Sequence, residues 1–436
     1  MATRDPGAAG RLREQMMTSE AAVPTSTLGR MWRTGRGAIG LTGALLRGRK
    51  GQEIDMEAIA GVVRGLGGLK GMGMKVGQMI GYVDQSVPEE LREMLSLLQT
   101  SAPATAFAAV EATLREALGE RAELLLAGLE RAPVAVASIG QVHRGTLPDG
   151  TEVAVKVRHP GVKEALVADF RAAGIGKLFG ALAGGATIPD TIDEARAAFI
   201  EECDFRREAE RQRIFGRLFA DDPVLRVPAV LDAWSSERVL VTRWTPGRSL
   251  DRFLADKPRQ AERDAVGEAL FRFWMRTLYR EGLFHGDPHP GNFAICADGS
   301  VVVYDFGCVR SFDAPVRRGF ARLAAATRDD DLDAMVAAIA ELGGQAPKDA
   351  AGRAHLRELL RSFFGLLLKG GRRRVAADEG HAARDLMRDK RAILGLRLPG
   401  RMLFLFRLRF GLHAVLARLQ AEVDWCALEG QWAREA

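Results

Sequence analysis

The feature that most constrains this chain is a set of three polar side chains at a fixed spacing. Residues 284–292 read FHGDPHPGN, so Asp287 and Asn292 bracket a short turn, and an Asp-Phe-Gly triplet begins at Asp305. An aspartate can accept a proton from an attacking hydroxyl, and asparagine and aspartate oxygens suit Mg²⁺ on nucleotide phosphates. The joint spacing predicts Asp287 as a catalytic base and Asn292 and Asp305 as metal ligands at a nucleotide site.

A lysine in a strand pattern precedes this segment. Residues 152–157 alternate as a strand should and contain Lys156 with apolar neighbours on both sides. A lone strand lysine is usually a solvated edge charge. Here it precedes residues 285–292, which match the catalytic loop of protein-kinase-like folds and are called the catalytic loop below, in the order that those folds require. We expect Lys156 to hold the α- and β-phosphates, with a glutamate from residues 201–210 fixing its ammonium. His285 is expected to brace the loop.

The order of patterns along the chain is strands first and helices later, which predicts a two-lobed α+β architecture. Helical patterns cover 107–118, ending at Gly119, and roughly 190–218, and the chain after 247 is mostly helical. Strands are expected at 134–142, 152–157 and 301–304, with a strand pair at 226–234 and 239–244. The predicted regions are a basic leader (1–55), a helical extension (56–130), a first lobe (131–246) and a second lobe (247–436).

Composition places the chain among globular proteins of two or three domain-sized units. It has 436 residues, 47% apolar and 27% charged. The four scattered cysteines argue against a disulfide framework or a zinc site and suit a reducing cytoplasm. Residues 1–50 hold nine basic and three acidic side chains and so carry the whole net charge of +6. This basic segment either favours anionic lipid headgroups or merely solubilises a loose tail.

No secretory signal and no membrane-spanning helix is predicted. The best candidate, residues 402–406, is cut short by Arg407 and Arg409, far below the roughly 20 apolar residues that a span requires. The arginines at 372–374 lack an aromatic-interleaved sheet pattern, so no nucleic-acid partner is expected. We expect a cytoplasmic protein, with peripheral contact to the inner membrane through the basic N-terminus or the C-terminal helices as an alternative.

Three further motifs complete a family pattern. Residues 75–78 form a K-x-G-Q signature after a glycine-rich lead-in, residues 135–143 form an alanine-rich loop, and residues 202–204 form an E-x-D motif. With the lysine strand and the catalytic loop, residues 56–430 resemble the UbiB family of atypical protein-kinase-like proteins. That family includes AarF and mitochondrial proteins that support coenzyme Q synthesis.

The resemblance implies that the K-x-G-Q helices fold over the active site and block protein substrates. Lys75 and Gln78 would then lie near the phosphates and near the E-x-D acids, Glu202 and Asp204. Glu208 falls where the family places the glutamate that pairs with the strand lysine. A lysine ammonium near the phosphates is chemically reasonable for charge stabilisation or for ordering a nucleotide.

The same resemblance assigns a set of nucleotide contacts to the alanine-rich loop and the hinge: Ala135, Ala137, Ser138, Arg243 and Trp244. Val136 stands where the loop often has alanine, which adds bulk near the nucleotide. Arg243 stands where the hinge often has glutamate, which bears on nucleotide selectivity.

The predicted function is that of an ATP-dependent, Mg²⁺-requiring UbiB-type kinase or ATPase in isoprenoid-quinone or lipid metabolism. ATP or ADP and Mg²⁺ are the expected cofactors, and a quinone precursor or lipid is the expected small-molecule partner. One alternative is a nucleotide-regulated scaffold or chaperone for lipophilic intermediates. A less favoured alternative is a small-molecule phosphotransferase resembling aminoglycoside or choline kinases, which also use His-x-Asp loops.

Overall fold

The computed structural model describes residues 104–171, 197, 200–376 and 400–436. The α-helices of these ranges are α1 Phe107–Leu118, α2 Arg121–Ala127, α3 Val162–Arg171, α4 Phe205–Leu218, α5 Leu250–Ala255, α6 Gln260–Phe271, α7 Ala314–Arg328, α8 Leu332–Glu341, α9 Ala350–Phe363, α10 Gly400–Leu419 and α11 Trp425–Glu435. The strands are β1 Ala135–Val136, β2 Gly140–Thr146, β3 Glu152–Arg158, β4 Leu225–Arg226, β5 Val239–Arg243, β6 Leu283–His285, β7 Phe293–Ile295, β8 Val301–Val303, β9 Val309–Ser311, β10 Arg373–Arg374 and β11 Glu422–Val423.

The chain divides into two compact units. Of the described residues, those up to Arg207 and Val230–Trp244 form the first unit, and Glu208–Ala229 with those from Thr245 onward form the second. Helix α4 begins in the first unit, and its residues from Glu208 onward belong to the second. The predicted lobes, 131–246 and 247–436, stay a prediction.

The first unit is built on an antiparallel sheet in the order β1-β2-β3-β5. Because strand side chains alternate between faces, Val153, Val155 and Val157 all point to one side, where they are buried in one core with α1 and α2. Burial of each valine contributes about 1.5–3 kcal/mol. Lys156 lies on the opposite face, so the alternation that makes the core also sets the direction of the lysine side chain.

The predicted strand over 134–142 is interrupted in the structure. Strand β1 ends at Val136 and β2 begins at Gly140, with a turn between them in which Ala137 N–H donates to the Gly140 carbonyl at 2.8 Å. A Cβ on Gly140 would lie 2.5 Å from the carbonyl oxygen of Val157, so only glycine permits this approach of β2 to β3. The helix at 107–118 and the strands at 152–157 and 301–304 agree with the sequence patterns to within a residue.

The predicted strand over 226–234 forms only in part, although its expected partner forms as β5. Leu225–Arg226 pairs in parallel with β8, and the predicted pairing with β5 is limited to an isolated antiparallel bridge between Val230 and Thr242. Pro228, two residues after the end of β4, has no N–H to donate to a sheet. Its carbonyl accepts a hydrogen bond from Gln212 Nε2 at 2.6 Å, and residues Asp232–Trp234 form a 3₁₀ turn.

The second unit is mainly helical and surrounds one large apolar core. A π-helical segment, Arg272–Glu281, continues α6 and ends at Gly282, whose φ of +65° is in the left-handed region. A Cβ at Gly282 would meet the Phe312 carbonyl oxygen at 2.5 Å, so glycine is required where the helix turns into β6. This turn delivers the chain to His285 and the catalytic loop.

The described helices include no segment that is both long and apolar enough to cross a membrane.

Candidate active site

Within the catalytic loop, the side chain of Asn292 is hydrogen-bonded to Asp287. Strand β6 ends at His285, and a 3₁₀ turn over Pro290–Asn292 brings the chain back on itself. The side-chain Nδ2 of Asn292 donates to Asp287 Oδ2 at 2.9 Å and to the Asp287 carbonyl oxygen at 3.1 Å. Since only the nitrogen of an amide can donate, these contacts fix its orientation and leave Oδ1 as the atom that could ligate a cation.

His285 connects this loop to the Asp-Phe-Gly segment. Its Nε2 lies 2.5 Å from the carbonyl oxygen of Asp305, and its Nδ1 lies 3.4 Å from the backbone nitrogen of Asp287. The ring is completely buried, and burial lowers the pKa of His285 below its usual value because the charged form is desolvated. The contacts confirm that His285 braces the loop.

The Asp-Phe-Gly segment is held by hydrogen bonds on both sides. Asp305 Oδ1 accepts from the Gly307 N–H at 2.8 Å, and Arg211 Nη1 donates to the Gly307 carbonyl at 3.1 Å. A Cβ built on Gly307 would lie 3.2 Å from Asp305 Oδ1 and 3.7 Å from Glu208 Oε2, so two carboxylates face this glycine.

The middle residue of that triplet, Phe306, is anchored in an aromatic cluster. Its ring centroid lies 5.2 Å from that of Phe215 on α4 and 5.6 Å from that of His285. Phe273 of the π-helical segment contacts both Phe215 and His285, at 5.2 and 5.5 Å. The backbone positions of Asp287 and Asp305 therefore depend on one buried aromatic cluster in this unit.

The donor set of this unit suits Mg²⁺. It offers the Asn292 amide oxygen and the Asp305 carboxylate, and Mg²⁺ is usually held by one or two carboxylates plus substrate phosphates and water. Within the described parts of the chain, no group of three or more His, Cys, Asp or Glu residues could hold a metal by itself. The two oxygen donors named above fit a cation that takes its other ligands from phosphates and water.

In the first unit, Lys156 lies in the middle of β3 with its Nζ 5.2 Å from the ring centroid of Phe205. Ala135 and Val136 form the short strand β1, and Ala137 and Ser138 form the turn to β2. The pairing of the lysine with Glu208 stays a prediction.

The alanine-rich loop is braced by polar residues to which the sequence analysis gave no role. His159 Nε2 lies 3.3 Å from the Ala137 carbonyl oxygen, and its Nδ1 lies 2.7 Å from Thr105 Oγ1. The buried Gln141 accepts from the Thr105 N–H at 2.7 Å and contacts His143 Nε2 at 2.9 Å. Gln141 and His159, polar residues within or beside the predicted strands, could have indicated this bracing. Their partner Thr105 is distant in sequence, so no local pattern reveals the contacts.

The E-x-D acids lie at a break between helical turns. Helix α4 begins at Phe205, and Asp204 just before it accepts from the Arg206 backbone N–H at 3.1 Å and from the Arg206 guanidinium at 3.0 Å. Burial alone would raise the pKa of Asp204, but these hydrogen bonds lower it below its usual value. Glu202 is half-buried in the preceding turn.

The predicted hinge residues lie at the end of β5, which is an edge strand of the sheet. Arg243 is the last residue of β5 and is exposed, and the Trp244 N–H donates to the Glu152 carbonyl at 2.9 Å. The Arg144 guanidinium carbon lies 5.3 Å from the Trp244 ring centroid. Several predicted features lie outside the described residues: Lys75 and Gln78, the leader at 1–55, the extension up to residue 103, and most of the predicted helix before Phe205.

Comparisons with known proteins find similarity to atypical kinases. The family model of the ABC1 atypical kinase-like domain matches residues 97–339. The chain is 33% identical over 278 residues to atypical kinase COQ8B, mitochondrial, of Rattus norvegicus, covering 63% of this chain and 52% of the relative. It is 29% identical over 252 residues to atypical kinase COQ8, mitochondrial, of Saccharomyces cerevisiae, covering 56% and 49%.

A solved structure is similar over a larger share of both chains. The complex structure of Rv3197-erythromycin from Mycobacterium tuberculosis superposes with a TM-score of 0.60 at 27% identity, covering 82% of this chain and 90% of that one. The curated relatives are longer proteins, since the chain spans 52% of the rat relative and 49% of the yeast relative.

Proposed function

Because the chain belongs to the ABC1 family of atypical kinase-like proteins, also known as UbiB or AarF proteins, we propose that it binds ATP with Mg²⁺ and transfers the γ-phosphoryl group. Family membership confirms the resemblance found in the sequence, together with the α+β kinase-like fold. The reaction, its acceptor and its biological setting are the proposed part.

The observation that supports the proposal most directly is the junction at His285. One buried ring contacts the backbone of both Asp287 and Asp305, at 3.4 and 2.5 Å, and Asn292 is hydrogen-bonded to the Asp287 carboxylate. A base and two metal-ligating oxygens on one rigid backbone are what phosphoryl transfer needs, because its catalysis is mainly positioning and electrostatic stabilisation.

In the proposed reaction, the bond between the γ-phosphorus and the bridging oxygen of ATP breaks and ADP leaves. A new phosphorus–oxygen bond forms to water or to a hydroxyl of a small acceptor, and Asp287 accepts the proton of that hydroxyl. Asn292 and Asp305 would hold Mg²⁺, which neutralises charge on the phosphates. Lys156, fixed by Glu208, would bind the phosphates, and Ala135, Ala137, Ser138, Arg243 and Trp244 would contact the nucleotide.

We further propose an acceptor of isoprenoid-quinone or lipid character, in keeping with the COQ8 names of two relatives. Lys75 and Gln78 would close the phosphate site, with Glu202 and Asp204 near them. Contact with a membrane surface through the basic residues of 1–50 or the C-terminal helices belongs to the same proposal.

The test is ATP turnover by the full chain, measured with and without Mg²⁺, anionic liposomes and quinone-precursor phenols. We expect Mg²⁺-dependent turnover that Asp287→Asn reduces by about 10²- to 10⁴-fold while nucleotide binding is retained. Undiminished turnover in Asp287→Asn would contradict the role of Asp287. Full rescue of a deletion strain by an Asp287→Asn variant that no longer turns over ATP would favour a nucleotide-regulated scaffold instead.

A further inference from the structure

The buried His285 has a third hydrogen-bonding neighbour, the indole of Trp274. Trp274 lies in the π-helical segment Arg272–Glu281 and is 0% exposed. Its Nε1 lies 3.2 Å from Nδ1 of His285, and the two ring planes are at 84° to one another. The indole N–H therefore points at a ring nitrogen and not at the ring face.

These contacts determine which nitrogen of His285 carries the proton. An indole N–H and a backbone N–H are donors only, and both Trp274 Nε1 and the Asp287 backbone nitrogen lie near Nδ1. Nδ1 must therefore be the acceptor. The Asp305 carbonyl oxygen, 2.5 Å from Nε2, is an acceptor only, so Nε2 must be the donor.

We infer that Trp274 is a positioning residue that holds His285 in its Nε2–H tautomer and thereby fixes the backbone of Asp305. In the other tautomer, Nε2 would turn a lone pair toward the Asp305 carbonyl oxygen, and the two acceptors would repel each other. Asp305 would then shift, and with it the carboxylate that accepts the Gly307 N–H at 2.8 Å.

The contribution of Trp274 is separable from that of the second donor. The Asp287 N–H reaches the same Nδ1 at 3.4 Å, a longer and weaker contact than the 3.2 Å contact from the indole. Unlike the Asp287 amide, the indole donor can be removed by a side-chain substitution. Trp274→Phe removes the donor and keeps an aromatic ring against Phe273 and Phe293, whose centroids lie 5.0 and 6.2 Å away.

The chain offers a matched control in Trp425. This tryptophan is also 0% exposed in the second unit, and its Nε1 donates to the Arg373 carbonyl oxygen at 2.9 Å, while its ring packs against Phe271. Trp425→Phe therefore deletes the same atoms and a buried hydrogen bond of the same kind, but its donor does not reach His285.

The first readout is the tautomer itself, observed by two-bond ¹H–¹⁵N correlation of histidine-labelled protein, with the His285 signals assigned from His285→Gln. We expect the Nε2–H pattern in the wild-type chain and in Trp425→Phe, and a mixture with the Nδ1–H pattern in Trp274→Phe. An Nδ1–H pattern in the wild-type chain overturns the inference without any variant. So does an unchanged pattern in Trp274→Phe, or an equal change in Trp425→Phe.

The second readout rests on the proposed function and separates positioning from binding. In Trp274→Phe we expect kcat for ATP turnover to fall about fivefold to tenfold with KM for ATP within about twofold, since a buried hydrogen bond is lost but no nucleotide contact is. Trp425→Phe should leave kcat within about twofold. Unchanged kcat in a Trp274→Phe variant with an altered tautomer would refute the link to Asp305, whereas absence of turnover in the wild-type chain would refute the proposed function and leave the tautomer result standing.

Discussion

The side-chain amide of Asn292 donates a hydrogen bond of 2.9 Å to the carboxylate of Asp287. Its nitrogen also reaches the Asp287 carbonyl oxygen at 3.1 Å, so the amide is held by two acceptors from one residue. The proposed metal ligand and the proposed base are thus oriented by each other. Two substitutions at Asn292 separate these roles.

Replacing Asn292 by alanine removes both the hydrogen bonds and the amide oxygen. We expect the Mg²⁺ concentration for half-maximal ATP turnover to rise about tenfold or more, because a metal ligand is lost. Asn292→Asp keeps an oxygen ligand but sets a second negative charge against Asp287, so it should retain Mg²⁺ affinity and lose kcat. Titration of turnover with Mg²⁺ checks both. Equal Mg²⁺ requirements in wild type and Asn292→Ala would exclude Asn292 as a ligand.

Arg211 fixes the glycine of the Asp-Phe-Gly segment from helix α4. A hydrogen bond from a charged donor to a backbone carbonyl is worth about 1.5–3 kcal/mol, so Arg211→Met should lower kcat about tenfold or more as Gly307 loses its donor. Arg217→Met, at an exposed position in the last turn of the same helix, is the control and should leave kcat unchanged. A similar loss in both variants would point to the helix as a whole and not to this contact.

We expect two glycines to respond in opposite directions to substitution by alanine. Gly140→Ala places a Cβ 2.5 Å from the Val157 carbonyl oxygen, and we expect it to lower the free energy of unfolding by about 1–3 kcal/mol. Gly216→Ala, inside α4 with its nearest neighbour at 4.0 Å, should raise it by about 0.5–1 kcal/mol. Urea unfolding curves measure the free energy of unfolding of both variants. Stabilisation by Gly140→Ala would contradict the close pairing of β2 with β3.

The buried His413 should make the protein sensitive to acid. Burial, with the nearby positive charges of Arg409 and Arg373, lowers the pKa of His413 to about 3 from 6.5. Between these values the unfolded chain binds a proton that the folded chain does not. The contribution of His413 to the free energy of unfolding is therefore fully present above pH 6.5. It falls as the pH is lowered toward 3, by at most about 1.4 kcal/mol per pH unit.

The variant His413→Leu should flatten that dependence. Both ring nitrogens of His413 have no hydrogen-bond partner among the described residues, so leucine costs no hydrogen bond there. Urea unfolding midpoints at pH 7, 6 and 5 should fall less steeply for the variant than for the wild type, while His355→Gln, at a half-exposed position, should follow the wild type. Parallel pH profiles of wild type and His413→Leu would refute this account.

A buried ion pair joins two C-terminal helices. Arg409 Nη1 lies 2.5 Å from Glu429 Oε1, the same oxygen that accepts from the Tyr279 hydroxyl at 2.9 Å, and both charged side chains are almost fully buried. Arg409→Met should cost about 3–5 kcal/mol because it leaves a buried carboxylate uncompensated. The double variant Arg409→Met/Glu429→Leu should recover much of that loss, and a double-mutant cycle measures the coupling. Strictly additive losses in the two single variants would show that Arg409 and Glu429 are not coupled.

The sequence predicted the parts of the site that local patterns encode. The spacing of Asp287, Asn292 and Asp305 reflects one loop followed by the β7–β8 hairpin, and the alternation around Lys156 reflects one strand. The helix at 107–118 was predicted because its apolar spacing and closing glycine are local as well.

Other features depend on partners that are distant along the chain. The contact of Gln141 with Thr105 spans 36 residues, and that of Arg211 with Gly307 spans 96, so no local pattern reveals either. The predicted strand over 226–234 is reduced to Arg226 and an isolated bridge at Val230, because Pro228 between them cannot donate to a sheet. The turn that divides the predicted strand over 134–142 was not predicted either. The contact that requires glycine at position 140 comes from the Val157 carbonyl oxygen on another strand.

The amide that links Asn292 to Asp287 has one more consequence, because Asn292 is the only asparagine among the 436 residues. Protein labelled with ¹⁵N at asparagine side chains alone contains a single labelled amide group, and that group lies at the proposed metal ligand. Its two proton resonances report separately on the bonds to the Asp287 carboxylate and carbonyl. The chemistry of this site can therefore be followed by one unambiguous spectroscopic signal without altering a single residue.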